Sequence, residues 1–229
     1  MHGNLPMAQA ATFTANARRL GMVAAIGSVF LIAAYAATLV TGLLTLRSPK
    51  EPIGDPWFSL LEILIILLMP LMVALLVAVH AWATAAVKVF SLAALVFMAL
   101  LAGLTSCLHF VILTVGRDPA FSGLPWLPKL LSFTWPSVSY DLDILAWDVF
   151  FPLAVLFASL VFSGSRLATS IRVMLLASGG LALAGLGGLV TGDMRLRNIG
   201  ILGYVGVFPV AVLLLALLFH RAPPQGSRA

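Results

Sequence analysis

The run WFSLLEILIILLMPLMVALLVAVH, residues 57–80, carries a single acid, Glu62, in an otherwise continuous apolar stretch closed by His80. A bilayer core takes about 20 consecutive apolar residues per helix, so the run reads as a spanning helix. A β-barrel strand would instead show a short segment of alternating polarity. The same signature recurs at 20–46, 88–115, 138–163, 172–191 and 198–220. The expected fold is an all-α polytopic membrane bundle of six helices, one transmembrane domain over 1–229, with the Pro- and Gly-containing tail 221–229 expected to be disordered.

Composition agrees. Hydrophobic residues make up 62% of the chain and charged residues 9%, against roughly 45–50% and about 25% in soluble globular domains. The first apolar run follows Arg18-Arg19 and is longer than the apolar region of a signal peptide, so it reads as a retained span. Cys107 is the single cysteine, which excludes an internal disulfide and thiol chemistry by cysteine pairs. The net charge of +5 is dispersed between spans rather than gathered in a patch. The basic residues therefore point to lipid headgroups, not nucleic acid.

Six spans return the chain to the face on which it starts. That face holds Arg18, Arg19, Lys88, Arg166, Arg172, Arg221 and Arg228, and the other holds Arg47, Lys50, Arg117, Lys129, Arg195 and Arg197. By the positive-inside rule this narrow excess points to cytoplasmic termini, in a membrane of the bacterial cytoplasmic type. The acids are far more lopsided. Glu51, Asp55, Asp118 and Asp193 lie in connections of the second face, and Glu62, Asp141, Asp143 and Asp148 lie in helices that start there. Acids contribute little to insertion, so the asymmetry implies a polar site opening on that side. The longest connection, GRDPAFSGLPWLPKLLSFTWPSV, belongs to the same face and could lie at the interface or fold over such a site.

Glu62 lies several residues inside its helix, where a charge costs up to about 2.5–3.5 kcal/mol, and Pro70 further along is expected to kink the helix and open space. In SYDLDILAWDVFF, residues 139–151, Ser137 just upstream reads as the helix cap and Asp141 as a first-turn acid suited to the helix dipole. At about 100° per residue, Asp141 and Asp148 share one face, and Tyr140, Asp143 and Trp147 share another. Asp148 lies too deep for capping to explain. His109 falls at the depth of Glu62 and can pair with it; His80 reads as interfacial. Asp193, Arg195 and Arg197 in TGDMRLRN either pair locally or bind an anionic group at the mouth, and Tyr204 adds an aromatic wall. Gly180, Ala184 and Gly188, with Gly200, Gly203 and Gly206, read as helix-packing stripes. Neither a metal nor a cofactor is expected: a metal site needs three or four convergent ligands, which His109 with two carboxylates could supply, but no motif such as HExxH is present.

A cavity of this kind places carboxyls and aromatic faces in hydrocarbon. Burial favours a neutral acid able to protonate an alkene or epoxide, a second acid can accept a proton, and aromatic faces stabilise the cation between those steps. With Glu62 early in the second span and Asp148 or Asp193 near a later helix end, the chain resembles the small integral-membrane terpene cyclases of fungal meroterpenoid pathways and their bacterial counterparts. The resemblance implies acid-initiated cyclisation or isomerisation of an isoprenoid and extends residue by residue to Glu62, with Asp148 or Asp193 as the later acid. The residues read on their own nominate Glu62, Asp143 and Asp148 as the acids and His109, Tyr140, Trp147, Asp193, Arg195, Arg197 and Tyr204 around the substrate. The fungal proteins carry a seventh helix that is not found in this sequence. The competing readings are a transporter or binding protein for a small molecule or lipid, and an accessory membrane subunit. A retinal-type receptor is disfavoured because Lys88 lies at a helix start.

Overall fold

The computed structural model describes residues 13–48, 51–121 and 123–222. Six helices are long and apolar enough to cross a membrane: α1 (Ala15–Leu44), α2 (Trp57–Trp82), α3 (Ala85–Arg117), α4 (Val138–Ser159), α5 (Arg166–Thr191) and α6 (Met194–Arg221). No strand occurs among the described residues. The protein is an integral membrane helical bundle, as its apolar runs require. The expected disordered tail lies largely outside the described residues.

Each expected span has its helix, with ends that follow capping chemistry. Thr14 and Ser137 cap α1 and α4 by accepting the N–H of Ala17 at 3.1 Å and of Tyr140 at 3.2 Å. α5 starts at Arg166 rather than near residue 172, because Gly164 turns the chain at φ 89° and Ser165 accepts the N–H of Ala168 at 3.1 Å. Hydropathy missed residues 166–171 because Arg166, Thr169 and Ser170 dilute their apolar neighbours. α2 runs unbroken through Pro70.

Neighbours in sequence are neighbours in space: α1 packs on α2, α2 on α3, α3 on α4, α4 on α5 and α5 on α6, and α6 closes the ring against α1. Arg18 secures the closure by donating to the carbonyls of Phe219 at 3.0 Å and His220 at 2.8 Å. These are last-turn oxygens with no partner inside their own helix. In lipid no hydrophobic force drives helices together, so close contact must. A Cβ on Gly21 would sit 2.7 Å from the Phe219 ring, and one on Gly179 2.8 Å from Leu156.

The glycine stripes are offset from the expected ones. Gly180 and Gly206 face open space, whereas Gly185 and Gly200 abut, a Cβ on the first lying 3.1 Å from the Cα of the second. Gly203 lets Ser178 Oγ donate to its carbonyl at 2.9 Å. The packed α5–α6 seam therefore runs through Ser178, Gly185, Gly188, Gly200 and Gly203, the last three of them among the stripe residues expected.

Two π-helical turns interrupt the regular helices, Leu145–Phe150 in α4 and Leu202–Val207 in α6. Turns of this kind are uncommon and often mark functional sites.

An intramembrane cavity with a linked acid, imidazole and guanidinium wall

Toward the acid-rich face the ring is hollow. A cavity of about 730 Å³ opens between α1, α2, α4 and α6, with His109 of α3 on its wall. Its polar side chains include Glu62, His109, Asp143, Arg197, Tyr35, Tyr140 and Tyr204, and its apolar walls include Ile65, Leu68, Met72, Trp147 and Phe208. Residues 51–53 and 131–134 of the two long connections complete it from above.

The polar side chains form a chain of contacts. Glu62 Oε2 lies 2.8 Å from Nδ1 of His109, and both residues are buried. The other imidazole nitrogen, Nε2, lies 3.8 Å from Asp143 Oδ1. Asp143 Oδ2 accepts from Arg197 Nη2 at 2.5 Å, and Arg197 Nε donates to Asp148 Oδ2 at 2.9 Å. The guanidinium carbon stands 4.6 Å from the centre of the Tyr140 ring, a cation–π arrangement. Three carboxylates, one imidazole and one guanidinium thus couple four helices through side chains alone.

The π turn in α4 makes this possible. In a regular α-helix residues five apart diverge by about 140°; the wider turn brings Asp143 and Asp148 round to one guanidinium. The expectation that Tyr140, Asp143 and Trp147 share a face holds, since all three line the cavity. Asp148 does not line it. Fully buried, it fills the seam behind Arg197, and a Cβ on Gly200 or Gly185 would fall 2.7 or 3.2 Å from its Oδ1. It faces a neighbouring helix across packed backbone rather than Glu62 across open space. That placement makes it a partner of Arg197, not a group in reach of a cavity-bound molecule.

The loop trio divides as well. Arg197 points inward as α6 begins, only 7% exposed. Asp193 and Arg195 are exposed and outside the cavity lining, and Asp193 caps the next turn by accepting the N–H of Arg195 at 3.0 Å. The expected anion site at the mouth therefore reduces to Arg197, already held by two carboxylates. Asp141 is exposed in the first turn of α4. His80 donates to or accepts from Ser91 Oγ at 2.8 Å on the opposite side of the bundle. No group of three or more histidine, cysteine, aspartate or glutamate side chains is arranged to hold a metal ion among the described residues.

Sequence reasoning passed over Tyr35, Phe133 and Met72. Tyr35 lines the cavity from the middle of α1; its hydroxyl in a long apolar helix was the available signal. Phe133 stacks on His109 with ring centres 5.0 Å apart. It belongs to a segment folded down over the cavity behind the short helix Leu127–Leu130. Ser139 Oγ donates to Leu130 O at 2.7 Å and Ser137 Oγ donates to Ser132 O, which ties that segment to the start of α4. Trp147 and Tyr204, one from each π turn, lie 4.9 Å apart on the opposite wall.

Fold and site together define a class: an integral membrane helical bundle enclosing a covered, largely apolar cavity with a titratable wall. No family model, curated protein or solved structure matches the chain.

Proposed function

We propose that the protein is an intramembrane enzyme that cyclises or isomerises an isoprenoid-type substrate by proton transfer, in the manner of the small membrane terpene cyclases. The observation that supports this best is the buried Glu62–His109 pair on the wall of an aromatic, largely apolar cavity. Glu62 in its acid form gives its proton to an epoxide oxygen. The C–O bond opens toward the more substituted carbon, and a double bond of the same chain supplies the electron pair that closes the ring.

Tyr140, Trp147 and Tyr204 offer aromatic faces to the cation that results. Its neighbouring C–H bonds are strongly acidic, so even an ion-paired carboxylate suffices as base. Asp143 Oδ1, the oxygen not held by Arg197, takes that proton. His109 touches Glu62 and approaches Asp143, which puts it on the return path of the proton. Arg197 and Asp148 hold Asp143 in place. Residues 131–134 lie over the cavity, and on this reading they limit the access of water, which would otherwise capture the cation. On the narrow excess of basic residues, the termini are cytoplasmic and the cavity opens toward the other face.

The test is to supply membranes containing the protein with epoxidised prenyl substrates and prenylated aromatics, and to search for cyclised isomers of unchanged mass. Product formation that Glu62→Gln abolishes supports the reading. Absence of product from every substrate, with proton-coupled uptake of a small molecule into liposomes, overturns it in favour of a carrier.

A further inference from the structure

We infer that the lower cavity is a shaft for one prenyl tail, closed by Ile32, Met72 and Phe208, and that Met72 sets the length of tail accepted. Only the placement of the reactive head beside Glu62 rests on the proton-transfer reading.

Three helices give the same depth. Met72 stands fifteen residues below the start of α2, Ile32 twelve residues from the end of α1, and Phe208 fourteen residues into α6. At 1.5 Å per residue all three lie about 20 Å inside the acid-rich face. Further along each helix the side chains leave the cavity and join the packed core: Leu75 and Leu76 on α2, Ala24 and Ala25 on α1, Ala211 and Val212 on α6. The floor is therefore a common level at which the bundle closes.

The polarity is graded along this depth. Glu62 and Asp143 each lie about 8 Å from the starts of α2 and α4 by the same rise, and Arg197 lies nearer the mouth. Below Glu62, the α2 lining residues Ile65, Leu68 and Met72 are apolar over about 15 Å. An occupant that matches has one polar or reactive end and a single slender run of apolar length, inserted tail first. An extended prenyl chain has this form, and the Tyr35, Trp147 and Tyr204 rings line the shaft beside the apolar α2 residues. Met72, completely buried, is the adjustable part of the floor, because an unbranched thioether side chain can be shortened or enlarged without displacing backbone.

Binding of radiolabelled geraniol, farnesol and geranylgeraniol to the protein in lipid nanodiscs tests this without turnover. Affinity, referred to the mole fraction of each prenol in the lipid, should rise by about tenfold from geraniol to farnesol, as the longer tail gains packing contacts in the shaft, and should not rise again for geranylgeraniol. Met72→Ala should restore the gain for geranylgeraniol. Met72→Trp should weaken farnesol about tenfold and spare geraniol, its helix content and melting being compared with the parent. A steady rise through all three prenols in the parent protein overturns the inference, as does an unchanged length profile in Met72→Ala. Equal binding of a diacylglycerol, which cannot thread one tail, also overturns it. A length profile as stated with no cyclised product sinks the reaction and leaves the shaft, whereas product with no length profile does the reverse.

Discussion

Arg197 Nε meets Asp148 Oδ2 at 2.9 Å across the seam between α4 and α6, with Gly185 and Gly200 packed against the other carboxylate oxygen. Two backbones without Cβ atoms make the room that this acid needs. The pair is buried, and its second carboxylate, Asp143, is the one that reaches the cavity. A group with no access to substrate can thus decide how a group with access is held.

Asp148→Asn should therefore act on stability before chemistry. Removing one partner of a buried ion pair typically costs about 3–5 kcal/mol, and the remaining pairing of Arg197 with Asp143 should put the loss at the lower end. Thermal melting in detergent measures it. The variant that still folds should keep the sequence of products, with a lower rate because Asp143 is less firmly oriented. Loss of all product at unchanged stability would instead assign Asp148 to the reaction.

Gly200→Ala places a Cβ 2.7 Å from Asp148 Oδ1. Overpacking of this kind costs about 1–3 kcal/mol, and Asp148→Ala in the same chain should recover part of it, since the obstructing atom is gone. A double-mutant cycle on melting should show the two changes to be non-additive. Simple additivity would mean that the helices shift apart instead.

Glu62→Gln keeps the shape of the side chain and removes its proton. Loss of a positioned acid lowers rates by about 10²–10⁴-fold, so the rate of cyclisation should fall by that order while prenol binding stays within about twofold. His109→Gln should leave the first turnover nearly intact and slow the later ones, because Glu62 can still deliver a proton once but is not readily recharged. A variant pair with equal effects on binding and rate would show that the two residues hold the substrate rather than transfer protons.

How much of this was legible beforehand depended on whether a residue's role is local. Continuous apolar runs announce spans because the bilayer fixes their length, and Ser137 announced the start of α4 because a cap acts within one turn. Glu62 and His109 were legible as equal-depth polar residues on adjacent helices. The convergence of Asp143 and Asp148 was not, because it depends on a π turn, and a count at about 100° per residue puts the two on different faces. Arg197 was legible as a connecting residue, but not its inward direction, which follows from where α6 starts. Tyr35 looked like any tyrosine in an oily helix until α2, α4 and α6 closed round it.

At the mouth, Arg117 Nη2 donates to Asp55 at 2.8 Å, linking the end of α3 to the connection before α2. The Ser59 hydroxyl, donating to the same carboxylate at 2.6 Å, and the Arg117 guanidinium hold Asp55 below the usual carboxylate range. A carboxyl whose folded pKa is depressed adds stability that is complete above its unfolded pKa, near 3.9, and is lost as pH falls through the lower folded value. The site is exposed, so the gain falls within the about 0–1 kcal/mol typical of surface pairs and shrinks with salt. Parent and Asp55→Asn should differ in melting temperature at neutral pH and low salt, and converge in acid or in high salt. A difference that persists in acid would mean that the contact acts through packing.

The cover offers a chemical readout that stability does not confound. Phe133 stacks on His109 and sits on the cavity roof, and such ring pairs contribute about 0.5–1.5 kcal/mol beyond their area. Removing the ring in Phe133→Ala should raise the open fraction of the cover by roughly 2- to 10-fold on that figure. Water then competes with deprotonation for the cation. With an epoxide substrate the expected result is a shift from cyclised unsaturated alcohols toward cyclised diols, heavier by one water, with substrate consumption little changed. The cation would form as before, since Glu62 keeps its place beside His109, but it would be trapped before Asp143 removes a proton. Chromatography with mass detection separates the two products in a single run. If the ratio stays constant while total turnover drops, Phe133 positions His109 and the segment does not exclude water.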